Sequence, residues 1–270
     1  MIEFKGVYFS YVPGEYVIKN INLFINRGEI LAILGGNGAG KTTLVKHING
    51  LLKPQLGYVK VLGMNTKEVS VAKLAKQVGL VFQNPDHQLF AETVEKEVMF
   101  ALINFGFPPE EIKSRTEKIL RGLDLIEYKD RSPFTLSGGE KKRLALAAVL
   151  CYDPSIIILD EPTTGQDYNQ KRNLAKLLKR FNEEGKTIII VTHDIEFVAD
   201  FIPRCIIMSN GEIVADGPSD DILTRGELLM ANKLLMPQLV EICYELSINP
   251  PSIKFDVVLS KVRAIMKGEI

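Results

Sequence analysis

What this 270-residue sequence lacks narrows its role before any motif is considered. It has no excess of either charge, with 33 Lys+Arg against 33 Asp+Glu. No bulk positive field is therefore available to hold a nucleic-acid backbone, and nucleic acid is not an expected partner. Hydrophobic residues make up 46% of the chain, enough for a core, yet charge, Gly or Pro breaks every apolar run well short of the roughly 20 residues that a bilayer crossing needs. The expectation is a chain that does not span a membrane. The opening MIEFKGVYFSY shows neither a basic stretch leading into an apolar block nor an Arg/Ser-rich amphipathic segment, so no export or organelle signal is visible and a cytosolic location is expected. Cysteine is scarce: Cys151, Cys205 and Cys243 stand far apart in apolar surroundings, which fits reduced core thiols and argues against a disulfide frame or a zinc site. Internal repeats and low-complexity stretches are absent as well.

What is present is an alternation of short β-branched or apolar runs with longer helical patterns up to about residue 215, the pattern of an α/β fold with a mainly parallel sheet. The runs at 2–9, 17–25, 30–34, 58–61, 78–82, 156–159, 188–192, 205–209 and 212–215 read as strands, and the wholly apolar 156–159 belongs at the centre, buried on both faces. Between 84 and 152 the patterns at 94–105, 110–123 and 139–150 have helical spacing, so this stretch reads as a helical insert. The strand runs end near Asp220. The expected division is a nucleotide-handling domain over 1–220 and a C-terminal helical extension over 221–270, broken at Asn249-Pro250-Pro251. In the last helical pattern Phe255, Val258, Leu259, Val262 and Ile265 form one apolar face, which packs either on the parent domain or on a second subunit or other partner.

Gly35-Gly36-Asn37-Gly38-Ala39-Gly40-Lys41-Thr42 fits G-x-x-x-x-G-K-[ST], directly after an apolar strand and before a helical pattern at 41–48. Glycines there let successive N–H groups and the helix N-terminus, with Thr43 in its first turn, converge on phosphate oxygens. Lys41 adds a point charge, and the Thr42 hydroxyl is placed for Mg²⁺. ATP and Mg²⁺ are the expected cofactors. The run 156–159 ends in Asp160-Glu161-Pro162. Adjacent side chains on an extended segment point in opposite directions, so Asp160 can serve the metal while Glu161 orients or deprotonates an attacking water. His193 in Thr-His-Asp and Gln83 at the end of 78–82 both leave strand ends, where sheets of this kind collect ligands. Gln83 is a candidate for the metal or the water, and His193 for the γ-phosphate. Ser137 and Glu140 are spaced as a capping box, but Gly138 and Gly139 in the same first turn are poor helix formers, which points to another molecule, an anion, approaching that helix end.

These motifs in this order, with Leu136-Ser137-Gly138-Gly139-Glu140 as the signature, resemble the ABC ATPases over residues 1–220. The resemblance implies a P-loop fold with an N-terminal antiparallel β subdomain beside the mainly parallel sheet, Tyr11 as the aromatic that stacks on adenine, Glu161 as the catalytic carboxylate with Lys41, Gln83 and His193, and a head-to-tail dimer with an identical or related ATPase subunit. In such a dimer Ser137 and Gly139 face the nucleotide held by the partner's phosphate loop. Three departures stand out: Gly36 where proline is common, Glu140 where glutamine is common, and Gln166 before Asp167 in the segment 164–167. Asp167 is kept as a dimer contact. The run Gln83-Asn84-Pro85-Asp86-His87-Gln88-Leu89-Phe90, continuing through Thr93 to Val98, looks like the ATPases of energy-coupling factor transporters, the cobalt and vitamin uptake group. That likeness implies a subunit peripheral to the cytoplasmic face of the cell membrane, powering uptake through a transmembrane scaffold and a separate membrane substrate-binding protein. His87, Leu89 and Phe90 would transmit the motion, with core packing as the other role open to Leu89 and Phe90. A conventional ABC importer subunit and a soluble non-transport ABC ATPase are the alternatives.

Overall fold

A computed structural model describes residues 1–267, so the last three residues of the expected extension lie outside it. In chain order the elements are β1 (Ile2–Ser10), β2 (Tyr16–Ile25), β3 (Ile30–Leu34), α1 (Lys41–Ile48), β4 (Leu56–Val61), β5 (Met64–Asn65), α2 (Val71–Ala75) and β6 (Val78–Val81). There follow α3 (Val94–Phe105), α4 (Pro109–Gly122), α5 (Gly138–Leu150), β7 (Ile156–Asp160), α6 (Tyr168–Glu183), β8 (Thr187–Val191) and α7 (Ile195–Phe201). The chain continues with β9 (Arg204–Ser209), β10 (Glu212–Pro218), α8 (Ser219–Ile222), α9 (Gly226–Ala231), α10 (Gln238–Glu245) and α11 (Phe255–Met266). The two-residue β5 escapes sequence reading because it is too short to show alternation.

The strands form two sheets. Six run in the order β10-β9-β3-β8-β7-β6, parallel except for the antiparallel hairpin strand β10. Four form an antiparallel sheet, β2-β1-β4-β5. The α/β class with its mainly parallel sheet and its N-terminal antiparallel part is as the sequence predicts. Because side chains alternate along a strand, the central strands β3, β7 and β8 feed two cores at once. Ala32, Ile157, Leu159, Ile188 and Ile190 face the core shared with α3, α4 and α5. Their neighbours Leu31, Ile33, Ile158, Ile189 and Val191 face the core closed by α1 and the antiparallel sheet. This two-sided burial explains why these runs are apolar throughout.

The insert consists of α3, α4 and α5, packed on one another. Beyond residue 220 the packing divides. Ile222, Leu223, Leu229, Leu234 and Val240 join the main core beside Phe197 of α7. Farther out, Cys243, Ile248 and Val258 make a small cluster of their own, flanked by Val262 and Ile265. Phe255 departs from the expected apolar face: it is 62% exposed, because it opens α11 one turn before Val258 reaches that cluster. The three cysteines are free and buried. Burial pushes the Cys151 thiol up to about 12 and that of Cys205 up to about 11, which makes both poor nucleophiles at neutral pH.

Candidate nucleotide site

The phosphate loop leaves β3 and winds directly into α1. Gly35 has φ +150°, and a Cβ there would lie 2.4 Å from the Met208 carbonyl oxygen of β9; Gly40 has φ +98° and faces the Val17 carbonyl at 3.0 Å. Both glycines are thus demanded by close backbone approach. Lys41 is buried, and its Nζ donates to Gly35 O at 2.7 Å and Gly36 O at 3.0 Å. Burial lowers its pKa, while the neighbouring Glu161 and Asp160 carboxylates work the other way. The ammonium therefore sits on its own loop beside two acids, poised for phosphate oxygens to compete for it. Asn37 and Gly38 form the exposed crest of that loop, Ala39 is buried, and Thr43 lies in the first turn of α1.

Thr42 Oγ1 donates to Asp160 Oδ2 at 2.9 Å, so the end of β7 and the start of α1 meet at one point. Burial raises the Asp160 pKa against the opposing effect of the Thr42 hydrogen bond, and the Glu161 charge adds to the rise. A buried, poorly solvated carboxylate beside a hydroxyl is a set of hard oxygen donors that fits Mg²⁺. That ion is commonly held by one or two protein oxygens together with substrate phosphates, and no group of three or more His, Cys, Asp or Glu is assembled for a metal among the described residues.

Glu161 is buried and adopts φ +50°, a left-handed conformation that costs about 1–2 kcal/mol in a residue with a side chain. Its surroundings hold it there. The Glu161 N–H donates to Val191 O at 2.8 Å, Thr192 Oγ1 donates to its Oε2 at 3.3 Å, and His193 Nδ1 lies 2.8 Å from the same oxygen. The carboxylate and the histidine, called separately from sequence, are therefore one unit. Thr192 was missed. It extends an apolar run by one position, and a hydroxyl at that strand end directly before His193 was the available signal.

Gln83 is exposed in the loop after β6 and lines, with Asp160, Glu161, Gly138 and Gly139, a cavity of about 900 Å³ between the sheet and the insert. The loop is tied to α5: Gln88 accepts from Phe82 N at 3.2 Å and donates to Ala145 O at 2.9 Å, and Lys141 pairs with Asp86 at 2.8 Å. The capping box at α5 is formed in both directions between Ser137 and Glu140. Ser137, Gly138 and Gly139 are exposed, and no hydrogen bond joins them to the phosphate loop among the described residues. Tyr11 follows β1, is 57% exposed and packs edge-on against Phe9; its hydroxyl lies 3.3 Å from Thr43 Oγ1. It borders a second cavity of about 460 Å³ that also touches Gly38. Asp167 is the N-cap of α6, bonded to Gln170 in a second capping box. That local role explains an aspartate at 167 irrespective of any dimer contact.

Residues 18–164 match the ABC transporter family. The chain belongs to that family. It is an ABC ATPase in fold and activity class, similar throughout most of its length to ATP-binding subunits of transporters. A putative ABC transporter ATP-binding protein of Pyrococcus furiosus is 47% identical over 93% of this chain and 95% of its own length. The energy-coupling factor transporter ATP-binding protein EcfA of Methanocaldococcus jannaschii is 39% identical over 90% of this chain and 88% of its own. Among solved structures, cbiO1 of Clostridium perfringens, part of the ABC transporter complex cbiONQ, superposes with a TM-score of 0.77 at 36% identity, covering 92% of this chain and 98% of cbiO1. A dimeric ATP-binding cassette in a post-hydrolysis state with ADP and Pi gives 0.74 at 33% identity over 81% of this chain and 99% of the cassette.

Proposed function

We propose that this ABC ATPase powers substrate uptake through an energy-coupling factor transporter, as a subunit peripheral to the cytoplasmic face of the membrane. The observation that carries the reading lies in the segment after Gln83. Glu97 of α3 is buried, and its Oε2 accepts from Phe90 N at 2.8 Å and Ala91 N at 2.7 Å. This fixes the backbone so that Phe90 points outward, 57% exposed, with its ring 4.7 Å from that of Phe100, itself 48% exposed beside Ile103 at 56%. An apolar patch of this kind on a polar insert marks a docking surface, and a transmembrane scaffold is the proposed occupant. Leu89, by contrast, is core at 3% exposure. The likeness to EcfA and cbiO1 supports the same assignment.

In the proposed cycle Lys41 and the loop N–H groups bind the ATP phosphates, and Tyr11 stacks on the adenine. Ser137 and Gly139 of a second ATPase subunit close over the γ-phosphate in a head-to-tail dimer. Thr42 and Asp160, with Gln83 from the insert loop, would hold Mg²⁺, which neutralises developing charge on the β- and γ-phosphate oxygens when bound. Glu161, held by Thr192 and His193, orients the water for in-line attack. Gln83 lies in the loop tied to α5 by Gln88 and Lys141, so movement of the insert toward the nucleotide carries the Phe90 patch with it. The test is to isolate the chain from its native membranes in mild detergent and identify co-purifying proteins by mass spectrometry. A scaffold with a separate small substrate-binding membrane protein is the expected result. A permease carrying its own substrate path, or soluble partners alone, would overturn the energy-coupling assignment.

A further inference from the structure

The Glu161–His193 pair does not end at Thr192. The Thr163 hydroxyl lies 3.5 Å from Thr192 Oγ1, and its interaction with the Asp194 carboxylate helps to lower the pKa of that acid. The Asp194 N–H donates to Thr192 Oγ1 at 3.0 Å. Asp194 Oδ1 accepts from Phe197 N at 3.1 Å as the N-cap of α7, while Oδ2 receives Lys171 Nζ at 2.6 Å. Lys171 closes the first turn of α6, the helix that begins directly after the segment 164–167. A cation there opposes the helix dipole, so local helix energetics do not explain it. The Asp194 carboxylate does. The pair is well covered, with side chains 26% and 14% exposed, and Thr163 and Thr192 are 3% and 0% exposed. Burial alone would raise the Asp194 pKa, but the Lys171 bond and the Phe197 amide prevail and lower it.

We infer that Asp194 and Lys171 are positioning residues for hydrolysis: through Thr163 and Thr192 they fix the Glu161 carboxylate and the His193 ring, and they tie that geometry to the segment 164–167 ahead of α6. The inference rests on Glu161 acting as the hydrolytic carboxylate. Neither residue touches the reacting atoms. Their effect is on where Glu161 Oε2 sits, and Glu161 holds a left-handed conformation that relaxes once its supports loosen.

The test measures phosphate release and ATP affinity of the full-length chain with Mg²⁺, for Lys171→Met, Asp194→Asn, the double variant and Lys171→Arg, beside Glu161→Gln. Asparagine caps a helix as well as aspartate, so α7 keeps its start. Each single variant is expected to lower kcat about tenfold, since small misplacements of a reacting group cost this much or more, while the KM for ATP stays within about twofold. The double variant should be no slower than either single one, because the two act as a unit, and Lys171→Arg should regain most of the rate. Single-variant rates within about twofold of wild type, losses that multiply in the double variant, or a loss explained by KM would overturn the inference. If Glu161→Gln is inactive while the pair variants run at the wild-type rate, the positioning role alone fails. If Glu161→Gln turns over normally, the role of Glu161 and this inference fall together.

Discussion

Gly138 and Gly139 are costly where they stand. Two glycines in the first turn of α5 lower helix stability by about 0.5–1 kcal/mol each relative to alanine. Gly35, by contrast, has an internal reason, since a Cβ there would strike a backbone oxygen. Gly138 and Gly139 have none. A Cβ on Gly138 meets nothing within 4 Å, one on Gly139 meets only Arg143 Nη1 at 4.0 Å, and neither residue has a positive φ. Gly139→Ala should therefore stabilise the isolated chain by about 0.5–1 kcal/mol, raising Tm by about 1–4 °C for a chain of this size. In the proposed head-to-tail dimer the same methyl group would lie where the second subunit's γ-phosphate approaches. Turnover should fall about 100-fold, the loss that follows when a reacting group is displaced by about 1 Å. ATP binding to the phosphate loop of the same chain should be unchanged. Thermal melting and steady-state phosphate release on one protein preparation read both effects. A variant that melts higher and hydrolyses normally would refute the head-to-tail site; a variant that melts lower would refute the reading of α5.

Three further outcomes follow from particular contacts. Burial raises the Asp160 pKa, so the folded chain binds that proton more tightly than the unfolded one. The cost to stability is absent below the unfolded value of 3.8, develops as pH rises through the folded value, and is fully present at pH 7. Asp160→Asn should therefore raise the nucleotide-free Tm at pH 7, lose that advantage as pH falls through the carboxylate range, and abolish the stabilisation that Mg²⁺ with ATP gives the wild type; equal melting of the two proteins at pH 7 would contradict this. Glu97→Leu leaves the Phe90 and Ala91 N–H groups without their acceptor and should cost about 2–3 kcal/mol in denaturant unfolding, whereas a cost below about 0.5 kcal/mol, the ordinary scale of surface changes, would mean the segment is not held there. Phe90→Ser should leave ATP hydrolysis by the isolated chain unchanged and reduce recovery of the membrane complex in pull-downs, and undiminished recovery would remove the patch from the docking surface.

Much of the site was legible because strands and motifs coincide. The apolar runs at β3, β7 and β8 end in Gly35, Asp160 and Thr192-His193, and parallel pairing alone brings those ends together. The helical insert showed in the 3.6-residue spacing of α3, α4 and α5. What stayed hidden depends on side-chain direction. Nothing in the run Leu89-Phe90 says that one residue enters the core and the next faces outward, because Glu97 decides this from the following helix. Phe255 shares its spacing with Val258 but stays exposed, outside the cluster that Val258 joins. The contact between the Thr163 and Thr192 hydroxyls joins residues 29 positions apart, and the sequence carries no periodic trace of such a meeting.

The central claim is that Glu161, supported by Thr192 and His193, drives hydrolysis in a closed pair of subunits. The most direct measurement is phosphate release together with light scattering for Glu161→Gln in the presence of ATP and Mg²⁺. The account predicts that ATP still binds, that hydrolysis falls about 100-fold or more, the usual contribution of a general base, and that a closed dimer accumulates. Turnover at the wild-type rate, or an inactive chain that remains monomeric with ATP bound, would contradict it.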